Sequence, residues 1–229
     1  LLPGENYGSS TRVDPANDMG YIGLSLSPSK VVRFRLSTME RIDSLTFSTG
    51  ENELQWGNID TTRGYAYYTM ETTPAHVVRV NLSTFTQDGV FSFNTGEKSP
   101  HGARIDPVSN ILYLGLRDVD PTSINLVVRL NLTTFTRMTD MPEIIIPSGQ
   151  GEFSNTILDD TNTYLYMGTN NNPSRIHKIH IAGGDFTLEE TFTMDLGESG
   201  IPTLNWNPVT SSLYAVISDD PAKVIQIQV

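Results

Sequence analysis

The chain has 229 residues and a formal charge of −11, from 26 acidic and 15 basic side chains, and it has no cysteine. An acidic surface repels phosphate backbones and anionic lipid, which argues against nucleic-acid and membrane-surface roles, and the lack of thiols removes disulfides and thiolate metal sites. No apolar run is long enough to span a bilayer, so no membrane insertion is expected; the opening residues LLPGENYG lack the basic start and apolar core of a signal peptide, as a mature or excised chain also would.

Taken in order, the chain repeats itself five times. Gly4, Gly50, Gly96, Gly149 and Gly197 each lie ten residues before Asp14, Asp60, Asp106, Asp159 and Asn207. Seven residues further on come Tyr21, Tyr67, Tyr113, Tyr166 and Tyr214, spaced by 46, 46, 53 and 48 residues. The string VVRVNLSTFT at 77–86 returns as VVRLNLTTFT at 127–136 and, more weakly, as VVRFRLST at 31–38. The copies run over about 4–49, 50–95, 96–148, 149–196 and 197–229.

Each copy reads as four short strands. The first is polar and rich in small residues, as over 54–59, and ends in a turn led by Asp or Asn, whose side chain can bond the backbone two residues on. The second strand carries the tyrosine, as in GYAYYTM and ILYLGL. A turn with a proline follows (Pro28, Pro74, Pro121, Pro173, Pro221), and then a third strand of strict alternation. Val32, Phe34 and Leu36, with their counterparts Val78, Val80, Leu82 and Val128, Leu130, Leu132, take one face and pack the sheet. Arg33, Arg79 and Arg129 take the other, which is expected to look outward. A fourth strand, as at 44–48 or 89–94, leads to the next glycine, and the absence of any sustained 3.6-residue period predicts almost no helix.

Four antiparallel strands in roughly 40–50 residues, in tandem, are the mark of a β-propeller blade. The fold class expected is therefore all-β: a propeller of five four-stranded blades, forming one domain or one propeller segment over 1–229. Val229 aligns with Leu82, so the last blade lacks its outer strand. Either the chain is a window on a longer protein, or that strand comes from a neighbouring chain.

Few residues point to chemistry. Nucleophile elbows, HExxH, P-loops and EF-hand loops are missing, and GQGEFS at 149–154 has no βαβ context. No catalytic, cofactor-binding or metal residue is assigned. His177 and His180 lie three apart on a strand and project to opposite faces. His101, with Arg104 and Arg12 nearby in register, could line a channel. Glu5, Glu51, Glu97 and Glu198 follow the repeat glycines, with Gln150 in the fourth copy. They could present carboxylates to a cation or polar ligand at a rim, or each accept backbone hydrogen bonds from the adjacent blade. Asp118 and Asp120, in the insertion RDVDPTSIN, begin a calcium-like spacing that nothing completes. Asn81 and Asn131 open N-x-S/T sequons at the same repeat position, and an Asx turn would use the same residues.

Units of this form, VVRVNLSTFT after a Pro turn and an Asp-led turn before YAY, resemble the tandem propeller repeats of large secreted protist and algal proteins, related to NHL and YVTN-type propellers. The likeness is closest in copies two and three; copy four departs at IHKIHIAGGDFT. It implies an extracellular or cell-surface scaffold or recognition role without catalysis, as a building block of a larger repeat protein or filament. Protein partners or self-assembly by strand exchange at the fifth blade, and covalent glycans, would accompany that role. Two other readings stand beside it. A lectin-like propeller would repeat an exposed aromatic, and Trp56 and Trp206 are not equivalent positions. A propeller enzyme would break symmetry with clustered charge on inner strands.

Overall fold

The structure is a computed structural model and describes residues 1–119 and 124–229. The chain divides into two compact units, Leu1–Pro100 and His101–Val229. Among the described residues the only helical segments are two three-residue turns, Pro15–Asn17 and Ala182–Gly184.

The first unit holds two four-stranded antiparallel sheets. One runs β1 (Gly8–Asp14), β2 (Met19–Leu24), β3 (Lys30–Arg35), β4 (Arg41–Thr46); the other runs β5 (Leu54–Asp60), β6 (Tyr65–Met70), β7 (His76–Asn81), β8 (Thr86–Ser92). The third sheet is formed by β9 (Lys98–Asp106), β10 (Ile111–Val119) and β11 (Ile124–Asn131), with β12 (Thr136–Arg137) and β13 (Ile144–Ile146) both pairing β11. The second unit continues with a fourth sheet, β14 (Phe153–Leu158), β15 (Tyr164–Thr169), β16 (Arg175–His180), β17 (Thr187–Thr193), and a three-stranded fifth, β18 (Thr203–Asn207), β19 (Ser212–Ile217), β20 (Lys223–Gln228). Each sheet is one copy of the repeat, with strand order following the chain.

Copy three departs from the expected four strands. Its fourth strand is split: Thr136 and Arg137 pair Asn131 and Leu130, then the chain leaves the edge and returns at Ile144–Ile146 opposite Val127, Leu126 and Asn125. Pro142 lies in the excursion and has no N–H to give a ladder. The turn between β10 and β11 lies outside the described residues, and with it Asp120 and Pro121; Asp118 is in β10.

Two turns repeat for stated reasons. Asp14 accepts from the Asn17 N–H, Asp60 from the Arg63 N–H at 3.1 Å, Asp106 from the Val108 N–H at 2.9 Å and Asp159 from the Thr163 and Tyr164 N–H groups. Asn207 does the same for Val209 at 3.0 Å. The side chain thus closes the first hairpin in every copy, but only Asp106 and Asn207 make the expected bond two residues on; Asp14 and Asp60 reach the third residue and Asp159 the fourth and fifth. The repeat glycines occupy the third position of a β-turn with positive φ, from +76° to +97° in all five copies. A side chain there would be strained, which is why the position is glycine.

The central strands are buried on both faces, and the fourth sheet shows why. Leu165, Met167 and Ile179, with Phe153 of the same sheet, join the cluster shared with Tyr113, Val127 and Ile146 of the neighbouring sheet. Tyr166 and Ile176 join the cluster of Leu204, Leu213, Ala215 and Ile217 on the other side. Alternation divides each strand between two neighbours, so both faces are interior. Tyr21, Tyr67, Tyr113 and Tyr166 are accordingly buried.

This corrects the outward face assigned to the third-strand arginines. Arg129 is only 4% exposed. Arg33 forms two hydrogen bonds to Asp43 of β4, at 2.7 and 3.0 Å, and its guanidinium lies 4.4 Å from the ring of Phe85 in the next sheet. Arg129 pairs with Asp140 at 3.0 Å and lies 4.6 Å from Phe186. Arg79 pairs with Asp88 and Lys178 with Glu189. A bulge follows the basic residue in three sheets, after Arg33, Arg79 and Lys178, and in the latter two the extra residue is the acid itself.

Phe85 is the last residue of the recurring turn, held at φ +52°, with its ring 6.2 Å from Tyr21 and 7% exposed. In copy one the same position is Met39, also at positive φ but 71% exposed. Phe85→Ala should therefore cost about 3–5 kcal/mol of stability in urea denaturation, while Met39→Ala should stay within about 0.5 kcal/mol. Equal effects of the two substitutions would contradict the packing role.

Candidate functional site

Each glutamate of the series caps its own turn. Glu5 Oε2 accepts from the Leu2 N–H at 2.7 Å, Glu51 from Ser48 at 2.8 Å, Glu97 from Asn94 at 2.7 Å and Glu198 from Asp195 at 3.0 Å. The backbone bond runs in reverse across the same turn, from the glutamate N–H to the carbonyl three residues earlier, at 2.9–3.1 Å. Gln150 keeps that backbone bond, to Pro147.

The remaining capacity of these carboxylates is also engaged. Arg41 of β4 donates to Glu5 Oε1 at 2.6 Å, Gln87 to Glu51 at 2.9 Å, and Lys223 to Glu198 at 2.8 Å. The glutamate carbonyls accept from the residue after the proline turn: Ser29 to Glu51, Ala75 to Glu97 and Ser174 to Glu198, at 2.7–2.8 Å. The series therefore ties the connection between sheets to the middle of the preceding sheet. Each carboxylate accepts a backbone hydrogen bond, but from its own turn three residues back and not from the adjacent blade that the sequence reading named. Among the described residues no group of three or more His, Asp or Glu is placed to hold a metal ion.

His101 lies on β9 with Nε2 2.9 Å from Arg117 Nη2. A guanidinium only donates, so the imidazole accepts there and is neutral. Burial, and then the charge of Arg117, push its pKa down to about 4. Arg104, three residues on, is solvent-exposed.

His177 takes the place of Val78 and is buried, with Nε2 2.9 Å from the Gln150 carbonyl and Nδ1 3.0 Å from Thr191 Oγ1. The carbonyl can only accept, so Nε2 carries the proton and Thr191 donates to Nδ1. Its neighbour His180 pairs with Asp185 at 3.1 Å. The two histidines thus have separate partners, as their spacing requires.

At both sequons the asparagine side chain holds a turn. Asn81 Oδ1 accepts from the N–H groups of Ser83 and Thr84 at 3.0 and 3.1 Å and from the Ser83 hydroxyl at 2.7 Å. Asn131 Oδ1 accepts from Thr133 and Thr134 at 2.9 and 3.1 Å. Ser83 and Thr133 are exposed.

A hollow recurs between sheets. One of about 280 Å³ is lined by Asp14, Tyr21 and Arg33 with Thr61, Gly64 and Ser83; another of about 280 Å³ is lined by Asp106, Tyr113 and Arg129 with Thr161, Asn162 and Asp185. The carboxylates and guanidiniums on these walls are the ones already bonded to each other and to the turns. The basic–acidic pairing was missed from the sequence, although an acid nine to eleven residues after each third-strand basic residue was there to be read.

The pH dependence of stability follows from two of these groups. The Arg41 hydrogen bond holds the Glu5 pKa at about 2, below its ordinary value of 4.5. Its stabilisation is complete above about pH 4.5 and is lost as the pH falls toward 2, so Glu5→Gln should flatten that part of the curve. His177 has its pKa lowered by burial, so the unfolded chain takes up the proton first and stability declines below about pH 6.5. His177→Val, the residue of the sister copy, should reduce that decline; urea midpoints measured from pH 7.5 to 2.5 test both.

No family model matches the chain, and no curated protein matches it. Among solved structures, hydrazine synthase of Kuenenia stuttgartiensis is similar with a TM-score of 0.78 at 12% identity, over 98% of this chain and 72% of that one. A hypothetical selenium-binding protein from Sulfolobus tokodaii is similar at 0.74 and 9% identity, over 96% of this chain and 61% of that one. The β-propeller domain of Cps50 (Swd1) from Myceliophteria thermophila is similar at 0.65 and 13% identity, over 93% of this chain and 62% of that one. The chain thus spans less than two thirds of the last two. At these identities the likeness concerns the fold alone, and that fold is of the β-propeller kind.

Proposed function

We propose that the chain is a non-enzymatic structural and recognition module of the β-propeller type, working outside the cell or at its surface. The observation that carries this reading is where the repeated polar residues go. The Asp, Glu and Arg series are engaged in turns, in links between sheets and in pairs along sheet edges. A residue spent in this way in several copies serves the scaffold. Stability that comes from each sheet packing on the next suits an extended repeat protein. The resemblance to tandem NHL and YVTN-like repeats belongs to the same reading, as does self-assembly by addition of a strand at the edge of β20, where Val224 is 71% exposed.

The external location is supported by two sequons at one repeat position with exposed hydroxyl residues. Expressed through a eukaryotic secretory pathway, the chain should be released with glycans at Asn81 and Asn131. Asn81→Gln and Asn131→Gln should each remove one step of the mobility shift given by an N-glycosidase. A secreted chain with both peptides unmodified in mass spectrometry would count against the location, and a chain that acquires no glycan because it is retained inside would do so as well.

The competing enzyme reading has one observation in its favour, the His101–Arg117 pair on inner strands of a fold also seen in hydrazine synthase. A neutral imidazole fixed against a guanidinium is equally a packing solution. Loss of a measured turnover in His101→Ala, with the fold retained, would replace the scaffold reading.

A further inference from the structure

The contact between the first and second sheets contains an apolar cluster in which two hydroxyls are buried. Tyr68 is 1% exposed and belongs to the cluster formed by Tyr21, Val31, Phe47, Leu54 and Val78. Its hydroxyl is buried and has no hydrogen-bond partner in the protein, and the same holds for Ser10 Oγ. The positions matching Tyr68 in the other copies are Ile22, Leu114, Met167 and Ala215, all apolar. The repeat therefore has no need of a phenol here, and phenylalanine would fill the same ring space. Burial raises the pKa of the phenol, which keeps it protonated.

The two groups converge on one place. A methyl at Gly57 would lie 2.8 Å from Ser10 Oγ and 2.9 Å from Tyr68 Cε1, the ring carbon beside the one that bears the hydroxyl. A methyl at Gly23 would lie 2.6 Å from the same Ser10 Oγ. Glycines at 23 and 57 thus let the serine oxygen pack directly against backbone, next to the edge of the tyrosine, where any side chain would collide with it. Leaving both hydroxyls unpaired would cost the full desolvation of two polar groups in an apolar contact, and a water needs two to four polar partners to stay.

We infer that this spot is a binding site for one ordered water, which bridges the Tyr68 hydroxyl and Ser10 Oγ and so joins β6 to β1 across the sheet contact. Water serves both partners because it donates and accepts, as each hydroxyl does.

The sign of one substitution tests the site. Tyr68→Phe keeps the ring and deletes the hydroxyl. With a bridging water the urea midpoint falls, by about 0.4 M; with an orphaned hydroxyl the midpoint rises, since an unsatisfied buried group has been removed. Ser10→Ala should lower the midpoint as well, and the double variant should fall no further than the deeper single one, because one water is lost once. A rise in Tyr68→Phe, or additive losses in the double variant, overturns the inference. A crystal structure at high resolution should show a water within hydrogen-bonding distance of both oxygens, and dry density there would equally overturn it.

Discussion

The structure depends on a contact made where one sheet meets the next. A buried tyrosine on the second strand and a basic residue on the third receive an aromatic ring from the following sheet: Phe85 against Tyr21 and Arg33, Phe186 against Tyr113 and Arg129. An acid holds the guanidinium in place: Asp43 on the fourth strand of copy one, and Asp140 in the excursion between β12 and β13 of copy three. The charge is thus paired before it is covered, which is the condition for burying it at all. The ring then adds apolar area and a favourable contact with the cation. At the contact of the fourth and fifth sheets, Trp206 stacks on Tyr166 at 5.9 Å and donates to Asp160, so a ring again covers the tyrosine, while Lys178 lies over Tyr164 of its own sheet.

The glutamate turns work beside that contact. A chain leaving one sheet for the next must reverse in a few residues, and each reversal leaves backbone groups in need of partners. A glycine at positive φ makes the turn, the glutamate side chain takes one N–H, and its carbonyl takes another from the preceding sheet. One short sequence, glycine followed by glutamate, therefore both bends the chain and docks the bend. The same logic explains why copy four keeps the turn with Gln150: its backbone bond remains, and the carbonyl gains His177.

Much of this was legible from local pattern. The five copies, the turns led by Asp or Asn at Asp14 to Asn207, the two-residue period of the third strand and the near absence of helix all rest on neighbours in sequence, where side-chain size and backbone preference act directly. The polar partner of each series was not legible in the same way. Arg33 has the pattern of a solvent-facing residue, because alternation says which side a residue is on and not what covers that side. The split fourth strand of copy three escaped for a related reason: pairing resumes at Ile144 after an excursion that no local propensity announces.

By itself, then, the sequence determined the repeat, its strands and its turns, since these follow from spacing and from the conformations that glycine, proline and aspartate allow. Only the tertiary structure decided that the polar face of the third strand is interior, that the glutamates cap turns and brace the sheet before them, and that Tyr68 and Ser10 meet beside Gly57. Those outcomes depend on what one sheet places against the next, between residues distant in the chain, and burial sets their energetics.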